Sequence, residues 1–207
     1  MRDERTRPPR AARLPPAERR AQLVQAALAV FARRGLGGVR HADVASEARV
    51  SLPAVFHYFA TRDALVGAVL DEVERFYVAQ AKGAAREAHD QPAREQLVVH
   101  ARVFARSVDT HPDHTRVWLD WSTAVDGELW RRYVRFSERV LRDVEGALRR
   151  GRRDGSVAGD VVSEDAARVF VAAAYAVMQL KLTGASAAKV ERLLQSVVRA
   201  VTGTPGA

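Results

Sequence analysis

The 207-residue chain has no cysteine, which excludes disulfides, thiolate metal sites and cysteine nucleophiles. Lysine is scarce: Lys82, Lys181 and Lys189 are the only three among 33 basic residues, a bias that reflects genomic base composition rather than chemistry. No apolar run approaches the roughly 20 residues a bilayer span needs. The amino terminus, Met-Arg-Asp-Glu-Arg-Thr-Arg, contains no apolar stretch of signal-peptide type, so a cytoplasmic protein without a membrane partner is expected. There is no Walker loop, no dinucleotide-binding glycine pattern and no Gly-x-Ser-x-Gly. The sequence therefore predicts neither an enzyme nor a bound cofactor. One grouping, His111-Pro112-Asp113-His114, sets two imidazoles beside a carboxylate, as a metal site or proton relay requires. Pro112 breaks a helix between them and no second cluster lies near in sequence, so the expectation is a capping or exposed role and no metal.

What the chain does have is 47% apolar and 28% charged residues, ordinary globular composition. Its net charge of +8 is concentrated at one end: residues 1–62 carry 12 arginines against 5 acidic residues, whereas the remainder is nearly balanced. Arginine near phosphates releases condensed counterions and gains affinity, so the first third is the end suited to a polyanion. Four of the eight prolines and five arginines fall within the first 16 residues, which reads as an extended basic arm.

Beyond the arm the pattern is helical throughout, and an all-α fold is predicted. Leu23, Ala26, Ala27, Val30 and Phe31 repeat at helix spacing between Pro16 and Gly35. Short helices are predicted over 42–48 and 53–58, and longer ones over 62–86, 93–109 and 113–125. A further periodic run from Trp130 to Leu148 should end at Gly151, with 151–160 a loop. Helices over 163–183, started by Ser163, and 186–202 complete the chain.

The short helices matter most. Residues 42–59, Ala-Asp-Val-Ala-Ser-Glu-Ala-Arg-Val-Ser-Leu-Pro-Ala-Val-Phe-His-Tyr-Phe, have helix-turn-helix spacing, with the turn at 49–51. Ala45 is small where two helices cross; Val44, Ala48, Val50 and Val55 supply the contacts that fix the angle, and Ser51 is placed to cap the second helix. In such a unit the second helix enters the major groove. Arg7, Arg10 and Arg13 of the arm suit a neighbouring minor groove. A tight helical hairpin inside a bundle is the plainer alternative, and the charge asymmetry weighs against it.

From Glu18 to Val69, the pattern Leu23, Ala26-Ala27, Val30-Phe31, Gly35, Val44-Ala45, Ala48-Arg49-Val50-Ser51 and Phe56-His57-Tyr58-Phe59-Ala60-Thr61-Arg62-Asp63-Ala64-Leu65 resembles the DNA-binding domain of the TetR family. His41-Ala42-Asp43-Val44-Ala45, Val55 to Arg62 and Val117-Trp118-Leu119-Asp120-Trp121-Ser122 resemble more narrowly the HapR-type (LuxR/SmcR) quorum-sensing master regulators, and the likeness extends from about Leu14 to Thr202. Arg49 stands where the general family has glycine, a departure that the HapR-type branch shares; at positive φ it costs about 1 kcal/mol. Phe56 replaces the general Tyr, Pro53 a small residue, and His57 the Asn of the HapR-type pattern, so the base preference should differ.

The resemblance implies a TetR-like architecture: an arm (1–16), a helix-turn-helix DNA-binding domain (17–62) and a helical ligand-binding and dimerisation domain (63–207). It implies a homodimeric regulator, repressor or activator, on pseudo-palindromic operators, with Ser51, Ala54, His57 and Tyr58 on the reading surface. His41, Thr61 and Arg62 are the implied phosphate contacts, and Arg10 and Arg13 the arm. Aromatics concentrate in the second domain, where all three tryptophans lie between 118 and 130. They are plain core or the walls of a cavity. The resemblance implies a pocket for a small apolar effector lined by Phe76, Tyr77, Phe104, Trp118, Trp121, Tyr133, Ser137, Ala174 and Met178. It places the dimer interface on the last two helices, where Ala166, Ala167, Ala173 and Ala174 permit close approach. The alternatives are a ligand-released repressor of an efflux or catabolic operon, and a helical carrier or enzyme whose arm binds another polyanion.

Overall fold

The structure, a computed structural model, describes residues 14–125 and 127–203. Among them every regular element is an α-helix. α1 (Pro16–Arg34) begins with proline at a position where its missing N–H costs nothing and stops at Gly35, whose φ of 77° suits glycine. α2 (His41–Ala48) and α3 (Leu52–Tyr58) are the two short helices, followed by the long α4 (Arg62–Glu87). α5 (Ala93–Thr110) and α6 (Pro112–Thr123) meet at His111, and Pro112 again starts a helix. α7 (Gly127–Asp154), α8 (Ser163–Leu182) and α9 (Ala187–Thr202) complete the chain.

Two local expectations are corrected. α7 does not stop at Gly151 but passes through it to Asp154. The glycine is buried, and a Cβ there would stand 2.4 Å from Val157 Cγ2 and 3.0 Å from Ala93 Cβ. Close passage of the returning loop, not helix termination, is what this glycine serves. Ser163 is the first residue of α8, as its sequence position predicts, with Val162 at the N-cap. Ser51 occupies the N-cap of α3, yet its side chain makes no capping bond; the Ala54 N–H donates to the Ser51 backbone oxygen at 3.0 Å.

α1 packs against α2, α4 and α6, while α5 contacts α4, α6, α7, α8 and α9. Leu23 and Phe31 of α1, Val44 of α2, Val55 of α3 and Leu65, Val69 and Leu70 of α4 are essentially sealed from solvent. They belong to one hydrophobic core with Trp121 of α6 and Met178 of α8. A second cluster, including Leu97, Leu148, Ala167, Val198 and Val201, closes the opposite end between α5, α7, α8 and α9. Continuity of the first core ties the short helices rigidly to the larger bundle, because close-packed interiors transmit displacement. Among the described residues no helix is long and apolar enough to cross a membrane.

Candidate nucleic-acid interface

The turn between α2 and α3 is built by Arg49, the one non-glycine at positive φ among the described residues (φ 54°, ψ 46°). Its N–H bonds the Ser46 carbonyl at 3.2 Å and the Val50 N–H bonds the Ala45 carbonyl at 3.0 Å. This is a Schellman ending with arginine where glycine is usual. At the other end of α2, the Arg40 N–H donates to Asp43 Oδ2 at 2.8 Å, the carboxylate half of a capping box. That backbone donor, joined by the Arg34 guanidinium, holds the Asp43 carboxyl below the usual carboxylate range. Arg33 pairs with Glu47 at 2.5 Å, so α2 is pinned to α1 twice.

α3 is held from both sides. Phe59 is buried just beyond its end, under the Arg20 guanidinium. His41, at the start of α2, is also buried, and its Nε2 lies 2.8 Å from the Phe59 carbonyl. A carbonyl only accepts, so Nε2 carries the proton. The same imidazole stacks on Phe56 with centroids 4.2 Å apart and planes within 10°. His41 thus reaches from α2 to both α3 and its exit, and the sequence expectation of a phosphate contact meets a side chain whose Nε2 is already engaged.

Ser51 and His57 are exposed, whereas Ala54 and Tyr58 are half-buried; His57 and Tyr58 meet edge to face at 5.1 Å. Thr61 caps α4, its Oγ1 accepting from the Ala64 N–H at 3.1 Å. Arg62 turns inward: Nε donates to the Val39 carbonyl at 3.3 Å and Nη2 to the Leu36 carbonyl. Thr61 and Arg62, like His41 expected to grip phosphate, therefore also hold the scaffold. Arg10 and Arg13 lie outside the described residues.

Sequence reasoning missed Asp120. Its Oδ2 accepts the Leu36 N–H at 2.5 Å, across 84 residues, so α6 grips the loop after α1 whose carbonyl Arg62 holds. No local pattern signals such a long-range pairing. Arg132 likewise joins α7 to α4, donating to Glu74 at 2.7 Å, Asp71 at 2.6 Å and the Gly67 carbonyl at 3.1 Å.

The residues expected to line a pocket divide into two groups. Tyr77, Phe104, Trp118, Trp121 and Tyr133 form one connected aromatic cluster, with Trp118 closest to Tyr175 at 4.9 Å, a residue not singled out from sequence. Met178 is buried in the same core. Tyr77 donates toward Thr115 Oγ1 at 3.4 Å, and burial raises its hydroxyl to about 12. Tyr133 and Tyr175 share a hydrogen bond of 2.7 Å, and burial pushes Tyr133 upward. Ser137 is half-buried one turn after Tyr133 on α7, and Ala174 is half-buried beside Tyr175 on α8. Phe76 instead turns toward His111 and His114, at 4.6 and 4.3 Å. Two clefts lie elsewhere, one of about 430 Å³ beside Arg149, Arg152 and Glu164.

His111 stands at the N-cap of α6 but its side chain makes no capping bond, and His114 is not exposed: it is buried with Nε2 3.6 Å from Glu72 Oε1 and no hydrogen bond. Among the described residues no three metal-ligating side chains converge.

Fold and site together define an all-α protein with an amino-terminal helix-turn-helix keyed into a larger helical bundle. Residues 23–69 match the model for bacterial regulatory proteins of the tetR family. The chain is 40% identical over 125 residues to the HTH-type transcriptional regulator LuxR of Vibrio harveyi, covering 59% of this chain and 58% of that protein. The chain thus matches less than two thirds of that relative's length. A regulator structure from Pseudomonas aeruginosa PAO1 superposes with a TM-score of 0.76 at 24% identity, over 92% of this chain and 93% of the other. AibR, solved with isovaleryl coenzyme A and operator DNA, gives 0.71 at 15% identity over 89% and 98%. These two likenesses speak to the fold.

Proposed function

We propose that the chain is a homodimeric transcription regulator that binds pseudo-palindromic duplex operators, placing α3 in the major groove and the Arg10/Arg13 arm in an adjacent minor groove. The observation that carries the reading is the outward face of α3, presented by a braced helix-turn-helix at the basic end of the chain. Ser51, Ala54, His57 and Tyr58 form the reading surface; Thr61 meets phosphate, as do His41 and Arg62 through donors not engaged within the fold. The described residues divide functionally near residue 62, with the remainder serving dimerisation and effector binding. On α8, Val169, Ala172 and Ala176 are exposed along one stripe, which suits the partner-facing surface. Ala166 and Ala167 are buried within the chain's own core and are not part of it.

Likeness to LuxR and to the HapR-type pattern supports a cell-density regulator. The second reading, a local repressor released by a small apolar effector, is favoured by the Tyr77–Trp118–Tyr175 cluster with its internal hydroxyl pairs. An effector regulates only by binding the two states unequally, so release of DNA, not binding alone, separates the readings. The test of the common core is selection of bound duplexes from a random library. Enrichment of a two-fold symmetric site with half-sites about 34 to 36 Å apart is expected; salt-sensitive binding without enrichment would point to a polyanion-binding carrier instead.

A further inference from the structure

Between Ser51 and Tyr58 there is no Arg, Lys, Asn, Gln, Asp or Glu, the side chains that make paired hydrogen bonds to base edges. What α3 turns outward is largely apolar: Leu52 is 40% and Phe56 46% exposed, beside Pro53 and His57. Leu52 and Phe56 are four residues apart and share a face. Phe56 cannot fold away, because its ring lies flat on His41 and His41 is bonded to the Phe59 carbonyl. The surroundings are cationic, with Arg40 and Arg49 exposed at the two ends of α2. An apolar face within a basic rim fits the major groove, where the one apolar group on a base edge is the 5-methyl of thymine.

We propose that Leu52 and Phe56 read thymine methyl groups, so that each operator half-site carries thymines beneath this face and is recognised as much by methyl contact as by hydrogen bonding. The inference rests on the reading of α3 as the groove-entering helix. Its test takes the duplex enriched by the selection and replaces each thymine of one half-site in turn by deoxyuridine, which keeps base pairing and the O4 acceptor but lacks the methyl. Affinity of the full chain should fall about fourfold at one or two positions, the loss of about one buried methyl group, and remain unchanged elsewhere. Leu52→Ala, at an exposed site that leaves the core intact, should abolish the penalty at one of those positions, with helical content unchanged by circular dichroism. Sequence-specific binding indifferent to every thymine-to-uridine exchange would overturn this inference and leave the regulator reading standing. Failure to enrich any duplex would overturn both.

Discussion

Arg49 illustrates how a single residue sets the turn on which α3 depends. A side chain held at φ 54° costs about 1 kcal/mol that glycine would avoid, offset in part by glycine's greater freedom when unfolded. Arg49→Gly should therefore stabilise the fold by up to about 1 kcal/mol in a denaturant titration, provided that no arginine contact is lost. This strain was legible through the resemblance, because Arg49 stands where the general TetR pattern has glycine. His114 was not, since its burial depends on α4 and α1 arriving from elsewhere in the chain. Burial lowers its pKa below the ordinary imidazole value, against opposition from Glu72, with His111 and Asp113 also nearby. The unfolded chain takes up this proton at higher pH than the fold does, so stability is full above the ordinary value, about 6.5, and is lost as the pH falls below it. Thermal unfolding of the wild type should drop more steeply between pH 7.5 and 5.5 than that of His114→Gln. Parallel pH curves would remove His114 as the cause.

Helix boundaries were readable where proline and glycine dictate them: Pro16 and Pro112 start α1 and α6, and Gly35 ends α1. They were misread at Gly151, because a helix stop and a close-packing site use the same residue for different reasons and only tertiary contact tells them apart. The site shows the same division. Of the α3 positions expected to face outward, Ser51 and His57 are exposed, Ala54 and Tyr58 are half-buried, and Leu52 and Phe56 are exposed without having been expected; the inward hold of His41 and Arg62 follows from backbone carbonyls that no pattern reveals. The Asp120 anchor acts at this scale, joining α6 to the loop between α1 and α2. Asp120→Ala leaves the Leu36 N–H without its charged acceptor and should cost about 2 kcal/mol of stability by chemical denaturation. A loss within error of zero would show that the contact holds nothing.

For the whole molecule, the account requires two copies and a charged amino-terminal third. The all-α class was legible because apolar residues recur at helical period along nearly the entire chain. The shared core between the first helices and the bundle was not, since periodicity says which face is buried but not against what. If the exposed stripe on α8 joins two copies, Val169→Glu should shift the protein toward monomer in sedimentation velocity and weaken DNA binding with it. An unchanged dimer would move the interface to another face. Double replacement of Arg10 and Arg13 by alanine should lower affinity and flatten its salt dependence on every sequence alike, because phosphate contacts carry no base identity.

The most direct measurement compares the affinity of the full chain for its enriched duplex and for a scrambled duplex of the same composition, over a series of salt concentrations. Sequence-specific reading by α3 predicts a preference of about a thousandfold or more that persists as salt rises, while the affinity for both duplexes declines. Equal affinities falling together with salt would contradict it and leave only a basic protein that binds polyanions.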